Sequence, residues 1–179
     1  KQLFLDESIL SNQTRFVAAN SINWARCMTQ SVYYFWTYLR LKEELNQMTF
    51  SIPSGNFGHA YAGWLAKEMG LPINKIFIAT NSNDVLHKLF SENSYKKGKV
   101  SQTLAPSMDI AVASNFERLV FDLNSCDSAK TSKLMNNLDE RGEFKLEKEQ
   151  LQQIKENFCF LMVGQWCKGN FGEDRKDIP

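Results

Sequence analysis

Residues 49–58 of this chain read Thr49-Phe50-Ser51-Ile52-Pro53-Ser54-Gly55-Asn56-Phe57-Gly58. The first five are a candidate strand, and the last five form a glycine-containing turn. A segment rich in small residues follows. It closes at Gly70, with Pro72 just beyond, which is a common ending for a helix. This order predicts a strand, a turn and a helix, the unit from which parallel α/β sheets are built.

The segments on either side continue the alternation of strands and helices. Candidate strands occupy residues 16–19 and 75–80, and a long helix spans about residues 22–45. Strand–helix–strand–helix–strand order requires right-handed parallel crossovers, so we expect an α/β fold with a partial parallel sheet and flanking helices. The large apolar residues of the long helix recur with a period of 3.6, and we expect them in the core: Met28, Val32, Phe35, Trp36 and Leu39.

Two polar pairs predict where later helices begin. Asn81 is followed three residues later by Asp84, which resembles a capping signal for a helix. Ser114 and Glu117 have the spacing of a capping box. We therefore expect helices to start just after Asn81 and at Ser114.

The chain divides by pattern into two parts. Residues 1–123 are predicted to form an α/β core that carries the glycine turn. Residues 124–179 are predicted to be a helical extension, either in the same domain or in part of a neighbouring one. Within it, amphipathic stretches at 129–138 and 146–158 predict helices, and an apolar run at 158–163 predicts a last strand.

Composition excludes several classes of protein. The 179 residues carry 21 Lys and Arg against 20 Asp and Glu, so the net charge is 21 − 20 = +1, and no basic surface for nucleic acid is indicated. No apolar run approaches the roughly 18 residues of a membrane-spanning helix. Two histidines, and cysteines without CxxC spacing, indicate neither a metal site nor a disulfide framework, which favours the cytoplasm. The cysteines are Cys27, Cys126, Cys159 and Cys167.

The glycine turn is the main candidate for a binding site. A turn at a helix N-terminus directs free backbone N–H groups at one point, where the helix dipole also favours an anion. Gly55 and Gly58 would let an anion approach closely, and Ser54 and Asn56 could add side-chain donors. An ordinary turn between a strand and a helix needs similar residues, so both interpretations stay open. The turn matches neither the P-loop nor the G-x-G-x-x-G pattern.

Several short blocks follow one another along the chain in a specific order. They are Asn20-Ser21-Ile22-Asn23-Trp24-Ala25-Arg26, Tyr33-Tyr34-Phe35, Pro53-Ser54-Gly55-Asn56-Phe57-Gly58, Ala79-Thr80-Asn81 with Asn83-Asp84, Ser107-Met108-Asp109-Ile110, and Ser114-Asn115-Phe116-Glu117-Arg118. In this order and spacing, the blocks strongly resemble threonine synthase. The resemblance covers about residues 20–123.

The resemblance implies a pyridoxal-phosphate enzyme of fold type II. The family converts O-phosphohomoserine and water to threonine and phosphate, with the cofactor held on a lysine and acting as an electron sink. The resemblance also assigns site residues. The cofactor phosphate would be held by Ser54, Gly55, Asn56, Phe57, Gly58 and His59. The phosphorylated amino-acid substrate would be bound by Asn20, Ser21, Asn23, Arg26, Asn115 and Arg118. His59 departs from the family, which more often has Asn there.

Some of these residues also have structural interpretations. Ser21 and Asn23 could cap the long helix, and Arg26 could form a surface ion pair. Asp109 is expected to be a turn residue, and Cys27 to be a small core residue.

The lysine that carries the cofactor in the family lies in a Ser-Phe-Lys-Asp-like segment, and no such segment occurs in this sequence. We therefore expect an internal fragment of threonine synthase that is inactive alone and could self-associate through apolar surfaces. Two alternatives stay open. One is a related enzyme that acts on another phosphorylated amino acid, and the other is a non-catalytic Rossmann-like module that binds an anion or a partner.

Overall fold

The computed structural model describes residues 20 and 22–162 of the chain. Its first half alternates helices and strands around the glycine turn, as the sequence predicts. The elements are α1 (Trp24–Leu41), β1 (Met48–Pro53), α2 (Gly58–Glu68), β2 (Ile73–Thr80) and α3 (Val85–Glu92).

The second half of the described chain contains three α-helices and several short elements. Its elements are β3 (Tyr95–Lys96), a short 3-10 helix (Pro106–Met108), α4 (Phe116–Leu123), α5 (Ser128–Arg141), β4 (Glu143–Phe144), α6 (Lys148–Asn157) and β5 (Phe158–Met162). Strands β3 and β4 pair as a two-residue antiparallel ladder. Among these described elements, no helix is both long and apolar enough to cross a membrane.

The sheet is parallel, which confirms the predicted fold class. Within the described residues it has three strands in the order β1–β2–β5. The central strand, β2, contributes Ile76 and Ile78 to the core, and both side chains are almost completely buried. The strand predicted at the end of the chain lies beside β2, where Phe158 is opposite Ile76. The predicted strand at residues 16–19 lies outside the described part.

The apolar stripe of α1 contradicts the expectation that it lies in the core. Four of its five residues are exposed: Met28, Val32, Trp36 and Leu39. Phe35 is partly buried against the core. The face that α1 buries instead carries Cys27, Ser31 and Tyr34, because this face packs against α2. The period of the sequence correctly predicted the helix but not the face that would be covered.

Neither predicted capping interaction forms. Helix α3 has Asp84 as its N-cap, and the Asp84 side chain makes no capping hydrogen bond. The side-chain Oδ1 of Asn81 instead accepts from the backbone N–H of Asn83 at 2.9 Å. Helix α4 begins after Asn115 without a side-chain cap. The Ser114 hydroxyl is directed to the side chain of Asn56 instead.

Candidate functional site

The turn between β1 and α2 is anchored at both ends. The N–H of Ser54 donates to the carbonyl of Ala79 at 3.3 Å, which ties the start of the turn to the end of β2. Phe57 has a φ of 62°, in the left-handed region that non-glycine residues rarely adopt. Its ring is fully buried and packs against Phe116 and Phe158, with centroid distances of 5.2 and 5.6 Å. This packing holds Phe57 in its unusual conformation.

The backbone donors of the turn remain free within the described structure. The first helical bond of α2 runs from the N–H of Tyr61 to the carbonyl of Phe57. The N–H groups of residues 55–60 donate to none of the residues that the structure describes. Six consecutive free donors at the start of an 11-residue helix are the arrangement that binds anions.

Both glycines of the turn lie against other parts of the protein. A Cβ atom on Gly55 would come 3.2 Å from Met108 Cα and from the carbonyl oxygen of Ser107. A Cβ on Gly58 would come 3.2 Å from Asn115 Nδ2. Packing alone therefore disfavours larger side chains here, so the two glycines do not decide between an anion site and an ordinary turn.

The segment 114–118 lies directly against the turn. The carbonyl oxygen of Asn56 accepts from the backbone N–H of Asn115 at 3.0 Å and from Asn115 Nδ2 at 3.1 Å. Arg118 Nε donates to Asn115 Oδ1 at 3.1 Å. The structure thus brings together two blocks that are about 60 residues apart in sequence.

The start of α1 reaches the same region through Arg118. Its guanidinium donates to the carbonyl of Ile22 at 2.7 Å. Asn23 is the N-cap of α1, and its side chain accepts from Ala25 N–H at 3.0 Å, as the structural interpretation predicts. Asn20 accepts from the N–H of Ile22. Ser21, the other predicted cap or substrate residue, lies outside the described residues.

His59 lies beside α1. Its ring centroid is 4.9 Å from that of Tyr34 and 6.2 Å from that of Tyr33. Burial lowers the pKa of His59 below its ordinary value, which favours the neutral imidazole. The backbone carbonyl of His59 accepts from the Tyr34 hydroxyl at 2.9 Å.

Asp109, expected to be a turn residue, organises the loop that packs against Gly55. Its carboxylate accepts from Thr103, through both N–H and hydroxyl, and from the side-chain amides of Asn81 and Asn83. Partial desolvation opposes ionisation, but these bonds outweigh it and hold the pKa of Asp109 below its ordinary value. The sequence block 107–110 marked this loop without revealing the network.

A cavity of about 670 Å³ lies on the α4 side of the site, and both Arg118 and Asp122 line it. Sequence reasoning missed Asp122, which accepts from the Tyr61 hydroxyl at 3.1 Å and from Trp64 Nε1 at 3.0 Å. Burial raises the pKa of Asp122. These partners are 58 to 61 residues away along the chain, so no local pattern could have indicated the contact.

Cys27 is buried, as predicted, and burial raises the pKa of its thiol. Its Sγ lies 3.4 Å from Asn115 Oδ1. In the part of the chain that the structure covers, no cluster of three or more His, Cys, Asp or Glu residues could hold a metal ion.

Comparisons with curated sequences and with solved structures both find threonine synthases. No protein-family model matches the chain. Threonine synthase of Pseudomonas aeruginosa is 44% identical over 170 residues, which cover 94% of this chain and 36% of that protein. The crystal structure of pyridoxal-phosphate-bound threonine synthase from Brucella melitensis superposes with a TM-score of 0.78 at 43% identity, covering 82% of this chain and 32% of that one.

The crystal structure of yeast threonine synthase is also similar, with a TM-score of 0.73 at 36% identity. It covers 80% of this chain and 31% of its own. The chain therefore spans about a third of the length of the relatives that it matches.

Proposed function

Since the chain corresponds to a segment of threonine synthase in both sequence and fold, we propose that residues 54–59 form the cofactor-phosphate site of a pyridoxal-phosphate-dependent threonine synthase. The whole enzyme would convert O-phosphohomoserine and water to threonine and phosphate. The observation that supports this most directly is the row of free N–H groups at residues 55–60. The similarity favours threonine synthase over both alternatives.

The residues of the turn are chemically suited to a phosphate monoester. Several N–H groups at the start of α2 can share its charge, and the helix dipole adds to the attraction. Asn56 is half-buried at the edge of the turn, where its side chain could add a further donor. The bound cofactor would supply an electron sink for carbanion chemistry, while the turn would hold and orient it.

Arg118 is the residue of the substrate set that is best suited to an anion. It lines the cavity beside α4, and a guanidinium binds phosphate or carboxylate oxygens in a bidentate manner. Its present bonds to Asn115 and Ile22 fix the side chain at the edge of this cavity. Arg118 would therefore orient the phosphorylated substrate, and Asn20, Asn23 and Arg26 would complete the site from the start of α1.

The 179-residue chain would not catalyse this reaction by itself. Catalysis of this kind needs a lysine amine in a shielded pocket, and the sequence lacks the Ser-Phe-Lys-Asp-like segment that supplies it in the family. Phosphate release from O-phosphohomoserine, with pyridoxal phosphate added, should not exceed that of a protein-free control. Robust release by the purified chain would contradict this part of the proposal.

The cytoplasm is the proposed location. Cys27, Cys126 and Cys159 are free thiols, as is usual for proteins in a reducing compartment.

A titration of the ¹⁵N-labelled chain tests the phosphate site directly. We expect inorganic phosphate and pyridoxal phosphate to shift the amide signals of residues 55–60. The start of α5 is the internal control, because the Asp127 side chain already accepts from the N–H groups of Ala129 and Lys130. Equal shifts at both helix starts, or none at residues 55–60, would refute the proposed site.

A further inference from the structure

One carbonyl in the turn is held by two hydrogen bonds from a single residue. The oxygen of Asn56 accepts from the backbone N–H of Asn115 at 3.0 Å and from its side-chain Nδ2 at 3.1 Å. The Asn115 side chain is completely buried, at 0% exposure, and is thus out of reach of a substrate in this conformation. The contacts of Asn115 point to a role different from the substrate binding that the family resemblance implies.

The orientation of the Asn115 amide is set from its other end. Its Oδ1 accepts from Arg118 Nε at 3.1 Å, and the Cys27 thiol lies 3.4 Å away. Since a guanidinium can only donate, the oxygen must face Arg118 and the nitrogen must face Asn56. Helices α1 and α4 thereby determine which way this amide points.

The peptide plane explains how a bond to Asn56 could affect ligand binding. In a trans peptide, the carbonyl and the following N–H point in opposite directions. Fixing the Asn56 carbonyl toward Asn115 therefore aims the N–H of Phe57 the opposite way. The Phe57 N–H is one of the turn donors that bond to no described residue.

Gly58 adds an independent constraint at the same contact. A Cβ atom on Gly58 would come 3.2 Å from Asn115 Nδ2. This distance is short enough that the amide would have to move to accommodate a methyl group. Gly58 therefore leaves room for the amide that fixes its neighbour.

We propose that Asn115 is a positioning residue that holds the Asn56–Phe57 peptide so that the Phe57 N–H is directed at a bound phosphate. This inference rests on the proposed function of the turn. It predicts that the turn is ordered before any ligand arrives, and that its order depends on the Asn115 amide.

The test compares Asn115→Asp with Thr131→Val in the full 179-residue chain. Asn115→Asp keeps an acceptor for Arg118 but replaces the donor that faces Asn56 with an oxygen. Thr131→Val is the control for lost stability, because Thr131 is also buried but makes its hydrogen bonds to Asn124 and Asp127. Gly58→Ala tests the same contact should Asn115→Asp fail to fold.

Two readouts separate this inference from the function on which it rests. Without ligand, the ¹⁵N order parameter of Phe57 should fall from about 0.85 to below about 0.6 in Asn115→Asp. It should also fall in Gly58→Ala, but it should not change in Thr131→Val. With inorganic phosphate, Asn115→Asp should bind at least about tenfold more weakly, because it loses one buried hydrogen bond and adds a negative charge beside the turn. The order parameter of Phe57 therefore decides the role of Asn115, and the affinity only accompanies it. Thr131→Val should bind like the unsubstituted chain.

An unchanged order parameter at Phe57 in the folded variants would overturn the role of Asn115, whatever the phosphate affinity. An equal loss of order in Thr131→Val would overturn it too, because the effect would then reflect general destabilisation. If the unsubstituted chain does not bind phosphate at the turn, the proposed function fails, and the order parameters still decide what Asn115 does.

Discussion

The ring of Tyr34 on α1 lies directly over Gly63 on α2. A Cβ atom on Gly63 would come within 2.8 Å of the Tyr34 Cε1 and Cζ atoms and within 2.7 Å of Ile76 Cδ1. The two helices can approach this closely only because Gly63 has no side chain. The contact fixes α1 beside α2, the helix that begins at the glycine turn.

Gly63→Ala should therefore destabilise the fold. Tyr34 and Ile76 are both 1% exposed, so neither has free space into which to move. We expect a loss of about 1–3 kcal/mol in the free energy of unfolding, as is usual for overpacked cores. Urea denaturation measures it. Gly98→Ala is the matched control, because a Cβ there meets nothing within 4 Å. Equal stability of the two variants would contradict the packing argument.

Tyr34→Phe tests the hydrogen bond from the same ring. The buried hydroxyl donates to the carbonyl of His59 at 2.9 Å, and removing it should cost about 0.5–1.5 kcal/mol. Tyr33→Phe is the control, since Tyr33 is the neighbouring tyrosine on α1 and is 64% exposed. Chemical denaturation of both variants makes the comparison. A Tyr33→Phe variant as unstable as Tyr34→Phe would argue against the bond.

The hydrogen bonds to Asp109 should make the stability of the fold depend on pH. Hydrogen bonds from Thr103, Asn81 and Asn83 outweigh partial desolvation and hold its pKa below the ordinary 3.8. The folded chain thus favours the ionised form, so this stabilisation is complete above pH 3.8 and is lost as the pH falls through the lower folded-state pKa. Asp109→Asn should lower the melting temperature at about pH 6, and the difference from the parent should shrink as the pH approaches the folded-state pKa.

Asp139→Asn is the control for this prediction, because Asp139 is an exposed carboxylate on α5. The melting temperature of Asp139→Asn should equal that of the parent at every pH measured. A difference between Asp109→Asn and the parent that stays constant over this pH range would show that the ionised carboxylate is not the source of the stability.

Local patterns in the sequence predicted the elements around the site but not their partners. The turn at 54–58, the end of α2 near Gly70 and the strand at 158 follow from short-range periodicity and turn chemistry, and the structure has them. The bonds of Asn115 to Asn56 join residues 59 apart, and their formation depends on how α4 packs against α2. The Ser114 hydroxyl likewise contacts the side chain of Asn56 and does not cap α4 as predicted.

The apolar stripe of α1 was wrongly predicted to be buried, and the reason is different. A period of 3.6 shows that a helix has an apolar face, but it does not say what covers that face. The relatives are about three times as long as this chain, so their sequences carry polypeptide that this chain does not include. Within the part of the chain that the structure describes, Val32, Trp36 and Leu39 on this face are each more than half exposed.

That stripe predicts self-association of the isolated chain. Val32, Trp36 and Leu39 of that stripe are between 56% and 61% exposed. Two further aromatic residues of α1, Trp24 and Tyr33, are 48% and 64% exposed. The face is mainly apolar, and at its C-terminal end the Arg40 guanidinium lies 4.3 Å from the centroid of the Trp36 ring. An apolar helix face is complementary to a second copy of itself across a two-fold axis. We expect sedimentation velocity to show a concentration-dependent dimer.

Val32→Glu should weaken this dimer without unfolding the chain. Val32 is 61% exposed, so the new charge would be hydrated in the monomer but buried in the dimer. The stability of the monomer should change by less than about 0.5 kcal/mol, as is usual at exposed positions. Asn136→Glu places the same charge on an exposed position of α5 and should leave the dimer intact. If the parent chain is monomeric at every concentration, or if both variants dimerise equally, the α1 face is not the contact surface.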